Sequence, residues 1–272
     1  FVLLYAGASV AYQGFFTFGV FVNLLNDNAF LGIAALGMTF VILTGGIDLS
    51  VGSMIGFTSI FIAVMMRNGM NPAIAALLAL ALGVLFGAGM GAVIAYFNVA
   101  PFLVTLAGMF LARGAALVIS LESVPIESKL FTAMDNFSLS TFPVTAIIFL
   151  AATAVAIYLA HFTKFGRGVY AVGGGENSAV LMGLPVAGIK VRAYALSGFC
   201  SALAGVVYTI YTSSGYANAG MMLELDAIAA AVIGGTLLTG GVGYLIGTFA
   251  GTLILGTIQT ILTFQGTLSS WW

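Results

Sequence analysis

The side chains able to do chemistry are few in this 272-residue chain. It has one histidine, His161, one cysteine, Cys200, and eight acidic residues. A zinc site or a His-based triad needs more partners than this set supplies. The glycines at 173–175 are not followed by the Gly-Lys-Ser/Thr of a phosphate-binding loop. The sequence therefore predicts no metal site, no catalytic centre and, with a lone cysteine, no internal disulfide.

The composition indicates a membrane protein. The chain is 61% hydrophobic and 6% charged, whereas an ordinary soluble domain carries about 25% charged residues. So few charges cannot build a surface that faces water, so membrane lipid is the expected surrounding. The net charge of −1 argues against a nucleic-acid partner. The apolar segments recur along the whole length, so a cleavable signal does not explain them.

The elements that must position these residues are membrane spans, which need about 20 apolar residues each. We predict an all-α, polytopic helical bundle of about ten spans, about nine of them visible, in a single transmembrane domain, 1–272. The visible spans are 1–21, 28–45, 50–66, 72–97, 101–120, 143–161, 192–212, 223–239 and 243–265. We expect the chain to be part of a longer polypeptide, with the tenth span after Trp272.

The charged residues predict the orientation of the bundle. Four of the seven Lys and Arg residues lie between Lys164 and Arg192, whereas the loop 121–142 holds three acids and one lysine. Basic loops stay in the cytoplasm, so the loop 162–191 is expected inside and the N-terminus inside as well. Arg67 falls on the outer side and fits less well. Arg113 is expected to snorkel outward.

Two segments of the chain match at an offset of 195 residues. The Leu-Thr-Gly-Gly at 43–46 recurs at 238–241, and nine positions are identical among the 30 from Leu31 to Ile60. The abundance of small and apolar residues offers a compositional explanation. Internal repeats are nevertheless common in transporters, where broken helices at matching points mark a permeation path. We predict a parallel repeat around 31–60 and 226–255, with both helices broken at Gly-Gly.

Three acidic residues lie within or beside these segments. A carboxylate in a membrane is costly and usually has a function. Asp48 is either an N-cap for the helix that restarts after the first break or, with Ser50, part of a gate near the inner end of the path. Glu224 and Asp226 either favour a helix N-terminus or line the same path.

Amide side chains collect near the predicted outer ends of two spans. Asn23, Asn26, Asp27 and Asn28 precede the second span, and Gln259, Thr260 and Gln265 lie late in the last visible one. Capping at the membrane interface explains each one singly. A sugar would need amide and hydroxyl partners of this kind, so Asn26, Asn28 and Gln259 are candidate pathway residues.

The basic loop contains a short segment with helix start and stop signals. Asn177 or Ser178 is expected to cap a helix over 177–183, and Gly183 and Pro185 to end it. Leu181 and Met182 would then be exposed apolar residues on the cytoplasmic side. Such residues favour a docking surface; a helix lying flat on the membrane is the alternative.

Three segments resemble the permease subunits of ribose-type carbohydrate ABC importers. Their signature is similar to residues 45–52, Gly-Gly-Ile-Asp-Leu-Ser-Val-Gly, and their second hallmark to residues 224–236. Their cytoplasmic coupling segment resembles 170–174 with Glu176-Asn177 to Gly183. Related branched-chain amino acid permeases share the fold but usually lack the Ile-Asp-Leu-Ser form. The segment 266–272 looks most like galactofuranose permeases.

The resemblance implies a non-catalytic subunit of a bacterial inner-membrane importer for a monosaccharide, galactofuranose or a ribose-like sugar. It implies cytoplasmic ATPase subunits, which bind the ATP and magnesium, a second permease subunit, identical or paralogous, and a periplasmic sugar-binding protein. This chain itself would carry no cofactor. The coupling residues would be Glu176, Asn177, Ser178, Leu181, Met182 and Gly183.

The residues alone leave an ion-coupled secondary transporter or a channel open. Ion-coupled carriers usually keep ionisable groups in mid-membrane, whereas most acids here lie near predicted span ends, which argues against coupling.

Overall fold

A computed structural model describes residues 1–126, 138–139 and 142–265, and these are mainly helical. The helices are α1 (Val2–Ala11), α2 (Phe18–Asp27), α3 (Ala29–Leu43), α4 (Val51–Arg67), α5 (Pro72–Phe97), α6 (Pro101–Ile119), α7 (Val144–Phe162), α8 (Lys164–Gly174), α9 (Glu176–Leu181), α10 (Val186–Thr212), α11 (Leu223–Ile233) and α12 (Leu245–Gln265). Two short antiparallel strand pairs join β1 (Val124–Pro125) to β4 (Ser214–Gly215) and β2 (Ser138–Leu139) to β3 (Phe142–Pro143).

The prediction of an all-α membrane protein is confirmed. Five of the described helices are long and apolar enough to cross a bilayer, and the bent pair α2 and α3 makes a sixth candidate. The five are α5, α6, α7, α10 and α12. Each coincides with a predicted span, because unbroken apolar length is the property that a bilayer crossing requires.

The predicted first span, 1–21, is wrong. The chain breaks there into α1 and α2, since Tyr12 is extended and Gly14 adopts φ +82°. Thr17 then caps α2 by accepting a hydrogen bond from the Val20 amide at 3.3 Å. At Asn28 the chain bends by 54° into α3. Helices α2 and α3 together therefore form one candidate crossing, where the sequence predicted two, 1–21 and 28–45.

The predicted span 223–239 is wrong as well. Its helix, α11, ends at Ile233, because Gly234 and Gly235 follow and Gly235 adopts a left-handed φ of +90°. Eleven residues extend only about 16 Å. The residues between α11 and α12 are not helical. The helix therefore ends at Gly234-Gly235 and not, as predicted, at Gly240-Gly241.

Helix α10 defines two opposite faces of the molecule. Near its start, Lys190 pairs with Glu176 of α9, and near its end the Tyr211 hydroxyl donates to Asp27 at 3.2 Å. Tyr211 follows Lys190 by 21 positions, which is about 32 Å along the helix. We call the end with Lys164 to Arg192 the basic face and the end with Asp27 and Tyr211 the opposite face.

Glycines bring α5 and α10 into close contact. A Cβ on Gly83 would meet the carbonyl oxygen of Gly198, and one on Gly87 would overlap the carbonyl of Tyr194. Small residues on one helix face allow this approach of backbones within a membrane. The glycines of α5 at positions 83 and 87, spaced four apart, therefore serve helix packing.

Candidate functional site

Helix α9 is the most exposed apolar element of the basic face. It is six residues long, Glu176–Leu181, and buries only Ala179. The side chains of Leu181 and Met182 are 88% and 66% exposed. The predicted exposure of these two residues is confirmed. Exposed apolar side chains beside a basic loop are candidates for a docking surface.

The ends of α9 differ in part from the expectation. The N-cap is Gly175, and no side chain caps the helix, so capping by Asn177 or Ser178 is wrong. The main chain turns at Gly175, so the helix begins at Glu176, one residue before the predicted start. Gly183, with φ +74°, follows the helix and ends it as predicted.

An ion pair, a hydrogen bond and aromatic stacking attach α8 and α9 to neighbouring parts of the protein. The Lys190 ammonium of α10 lies 2.7 Å from both carboxylate oxygens of Glu176. Tyr170 of α8 donates its hydroxyl to the carbonyl of Gly243 at 2.8 Å, and burial raises the pKa of this phenol. His161, at the end of α7, is exposed and stacks against Tyr170 and Tyr244, each at 6.2 Å between ring centroids. Helices α8 and α9 are therefore attached to α7, α10 and the residues just before α12.

A glycine of α8 lies where the two Leu-Thr-Gly-Gly segments meet. The Gly241 amide donates to the Leu43 carbonyl at 3.0 Å. A Cβ on Gly173 would overlap both of these backbone groups. Gly45 and Gly240 have φ values of +80° and +86°, so the turns at this meeting point require glycine. We call Gly173, Leu43 and Gly241, with the turns at Gly45 and Gly240, the glycine junction.

The first helix break is held against α10 by Asp48. One carboxylate oxygen accepts from the Ser50 amide at 3.0 Å and the Ser50 hydroxyl at 2.6 Å. The other accepts from the Ser197 hydroxyl at 2.7 Å, and Tyr194 donates to the Ile47 carbonyl at 3.2 Å. Asp48 is 0% exposed. Ser50, not Asp48, is the N-cap of α4, so Asp48 supports the helix start from two residues before it.

Tyr194 and Ser197 were not singled out by the sequence. Their only signal is that two residues with hydroxyl groups lie three apart in an apolar span, which places them on one helix face. What they contact, the break at Ile47 and Asp48, becomes visible only once α10 is packed against it.

The chain between α10 and α11, residues 213–222, turns back along α4. Gly215 lies against the backbone of Ser59, and Gly220 lies against the backbone of Gly52. The Ser59 hydroxyl bonds both the amide and the carbonyl of Tyr216, at 3.2 and 3.1 Å. Non-helical backbone at membrane depth requires such partners from the protein.

Arg113 satisfies two further carbonyls of the same segment. Its guanidinium donates to Ala217 and, at 2.9 Å, to Ala219. A Cβ on Gly56 would meet this guanidinium, so a glycine of α4 leaves room for it. The expected outward snorkelling of Arg113 is therefore wrong. The side chain is directed inward, because backbone carbonyls without helical partners lie within its reach.

Glu224 and Asp226 both lie in the first turn of α11, as the helix N-terminus interpretation requires. Glu224 is 9% exposed and its carboxylate faces Gly52 of α4. Asp226 is exposed. The structure therefore does not bring the two carboxylates together with Asp48, which contacts α10 instead.

The amide residues divide between two places on the opposite face. Asn26 accepts a hydrogen bond from Thr145, so it joins α2 to α7. Asn28 and Gln259 instead line one cavity, together with Asn23, Asp27, Thr260 and Thr263. Among the described residues, no three His, Cys, Asp or Glu side chains form a group able to hold a metal ion. Glu127, Lys129 and Asp135, and the segment 266–272, lie outside the described residues.

Membrane-length helices, with a short apolar helix held in solvent on the basic face, define a polytopic membrane protein. A family profile with the description Branched-chain amino acid transport system / permease component matches residues 20–272. The chain therefore belongs to this permease family, and it is a multi-pass protein of the inner membrane.

Individual relatives are similar over most of the chain. It is 48% identical to the inner membrane ABC transporter permease protein YjfF of Escherichia coli, across 100% of this chain and 84% of that protein. It is 42% identical to the ribose import permease protein RbsC of Bacillus subtilis, across 91% and 78%. It is 36% identical to the fructose import permease protein FruG of Bifidobacterium longum, across 100% and 83%. No solved structure matches the chain.

Proposed function

We propose that this chain is the membrane-spanning permease subunit of an ABC importer that takes up a monosaccharide. The observation that carries the proposal is α9, whose apolar tip, Leu181 and Met182, is exposed on the basic face. Relatives named as ribose and fructose import permeases support the substrate class. The exposed tip of α9 gives a soluble partner a small contact surface. The packing of the permease itself does not require these side chains.

That partner is an ATPase subunit, which binds the ATP and magnesium and performs the hydrolysis. Helix α9 lies in a cleft of the ATPase and moves with it when the ATPase dimer closes. Glu176, Asn177, Ser178, Leu181, Met182 and Gly183 form the contact. The permease binds no cofactor and acts as the conduit.

Motion of α9 reaches the transport path through α8. Gly173 touches the ends of both broken segments at the glycine junction, and Lys190 links Glu176 to α10. A displacement of α8 therefore acts directly on α3 and on the segment before α12. The bundle then alternates between openings to the periplasm and the cytoplasm.

The complete importer contains further proteins. A second permease subunit, identical or paralogous, pairs with this one so that the path lies at or near their contact. A periplasmic sugar-binding protein delivers the substrate to the opposite face. The full topology of the permease is about ten spans, and galactofuranose or a ribose-like sugar is the substrate. The family description leaves a branched-chain amino acid as the second candidate.

Charge placed on the apolar tip of α9 tests the docking role. Leu181→Asp and Met182→Asp should each abolish most of the ATP hydrolysis that loaded binding protein stimulates, because a carboxylate opposes burial in an apolar cleft. Membrane insertion should be unchanged, since both side chains are already exposed to solvent. Leu121→Asp is the matched control, because Leu121 is also exposed but follows α6 on the opposite face. Normal stimulation in both α9 variants would refute the docking role.

A further inference from the structure

One cavity on the opposite face has mostly polar lining residues. It has a volume of about 330 Å³ and lies between α2, the start of α3 and the second half of α12. Six of its lining residues are polar: Asn23, Asp27, Asn28, Gln259, Thr260 and Thr263. By contrast, two cavities between α4, α5 and α6 are lined by apolar side chains such as Phe57, Leu82 and Leu103.

The cavity has a preformed floor. The Asn28 amide donates to the Leu24 carbonyl at 2.9 Å and is 4% exposed. Gly256 of α12 lies directly against this amide, and a Cβ at that position would overlap it. The missing side chain of Gly256 therefore lets α3 and α12 approach closely and close the base of the cavity.

The other side chains that line the cavity have hydrogen-bonding groups left over for a ligand. The side-chain amides of Asn23 and Gln259 make no hydrogen bond to any residue that the structure describes. Asp27 accepts from Tyr211 through one oxygen. The hydroxyls of Thr260 and Thr263 donate to helix carbonyls at 2.8 and 3.0 Å, which leaves their lone pairs as acceptors.

We propose that this cavity is an entry subsite for a neutral monosaccharide, which rests on the proposed importer function. Sugar hydroxyls donate and accept hydrogen bonds, and the cavity offers both amide donors and carboxylate, amide and hydroxyl acceptors. No Lys or Arg lines it, and Asp27 does, so an anion is disfavoured. Its volume is near the lower end of the range of about 300–1,000 Å³ for small-ligand sites, which suits one sugar ring. Val20 and Phe264 add apolar surface for the ring carbons.

Transport stoichiometry tests the subsite in the assembled importer. Gln259→Ala and Thr263→Val should each lower sugar moved per ATP hydrolysed by about three- to tenfold, the effect of losing one hydrogen bond. Stimulated ATP hydrolysis is measured in the same vesicles, so that a variant that misfolds or fails to assemble, which loses hydrolysis as well as uptake, is distinguished from one that lacks the subsite. Gln265→Ala is the matched control, because Gln265 is exposed on the same helix but does not line the cavity. An unchanged ratio in both cavity variants would overturn the proposal.

Chemical protection gives a second readout that does not need transport. In a Cys200→Ala background, Gln259→Cys and Gln265→Cys are labelled with a membrane-impermeant maleimide in the presence of D-ribose, D-galactose or D-fructose. At a concentration of about twice its dissociation constant, at least one sugar should slow labelling at position 259 about threefold, because only about a third of the sites stay unoccupied and open to the reagent, and it should leave position 265 unaffected. No protection by any of the three, equal protection at both positions, or equal protection by L-leucine would contradict a sugar subsite.

The two proposals fail in different ways. If the wild-type importer takes up no sugar with its ATPase and binding protein present, the proposed function fails. If uptake is normal and the cavity variants match the Gln265→Ala control, only the subsite fails.

Discussion

The Gly241 amide donates to the Leu43 carbonyl at 3.0 Å, so the two Leu-Thr-Gly-Gly segments, far apart in the chain, are bonded to each other. Gly173 of α8 lies against both groups. The internal repeat remains a prediction, but the contact does not depend on it. One position in α8 therefore touches both broken segments, which is the arrangement that the proposed transmission from α9 requires.

Gly173→Ala should impair the transmission of motion from α9 to the transport path. Its Cβ would overlap the Leu43 carbonyl and the Gly241 amide, and overpacking of this kind costs about 1–3 kcal/mol. Gly174→Ala is the matched control, because nothing lies within 4 Å of its added Cβ. Sugar uptake and stimulated ATP hydrolysis, measured together in proteoliposomes, should fall for Gly173→Ala alone. Equal activity of the two variants would show that the contact at Gly173 does not transmit motion.

Asp48→Asn should retain most transport, because the contacts of Asp48 stabilise the start of α4 against α10 and do not form a gate. The amide oxygen can still accept from Ser50 or Ser197, whereas Asp48→Ala leaves these buried hydroxyls without their acceptor. We expect a loss of about 1–3 kcal/mol for the alanine variant, measured as a lower unfolding midpoint in detergent. A folded Asp48→Asn variant with no uptake would restore the gate interpretation.

Arg113→Met should destabilise the segment 213–222. The change leaves the Ala217 and Ala219 carbonyls without a donor, and each buried unsatisfied group costs about 1–3 kcal/mol. Arg113→Lys keeps a donor and should lose less. Protease sensitivity of this segment, compared between the two variants, checks the order. Equal resistance of Arg113→Met and wild type would mean that other groups satisfy these carbonyls.

Reversal of the pair between Glu176 and Lys190 should act on coupling more than on stability. Glu176 is half exposed, and such pairs contribute at most about 1 kcal/mol. Glu176→Lys should reduce stimulated ATP hydrolysis by about two- to fivefold, in keeping with that small energy, and the double reversal with Lys190→Glu should restore it. Failure of the double variant to recover would mean that the loss comes from the contact of Glu176 with the ATPase and that the pair with Lys190 does not contribute to coupling.

The sequence predicts well what depends on apolar length and on flanking charge. The spans at α5, α6, α7, α10 and α12 were expected, because each is an unbroken apolar stretch. The exposure of Leu181 and Met182 was expected as well, since both lie in a basic loop just before a helix-ending glycine.

Features set by the path of the backbone could not be predicted in this way. The chain is apolar on both sides of the turn at Gly14, so hydropathy does not reveal the break between α1 and α2. The return of residues 213–222 along α4 depends on Ser59 and Arg113, which are distant in sequence. Gly173 had no signal except its identity, because its importance arises from the backbone groups packed against it.

Uptake of labelled sugar into proteoliposomes tests most directly whether this chain is a conduit driven through α9. With ATPase and binding protein present, wild-type permease should accumulate sugar only with ATP, and Leu181→Asp should accumulate almost none. Accumulation by the permease alone under a proton or sodium gradient, or full ATP-driven uptake by Leu181→Asp, would contradict the account.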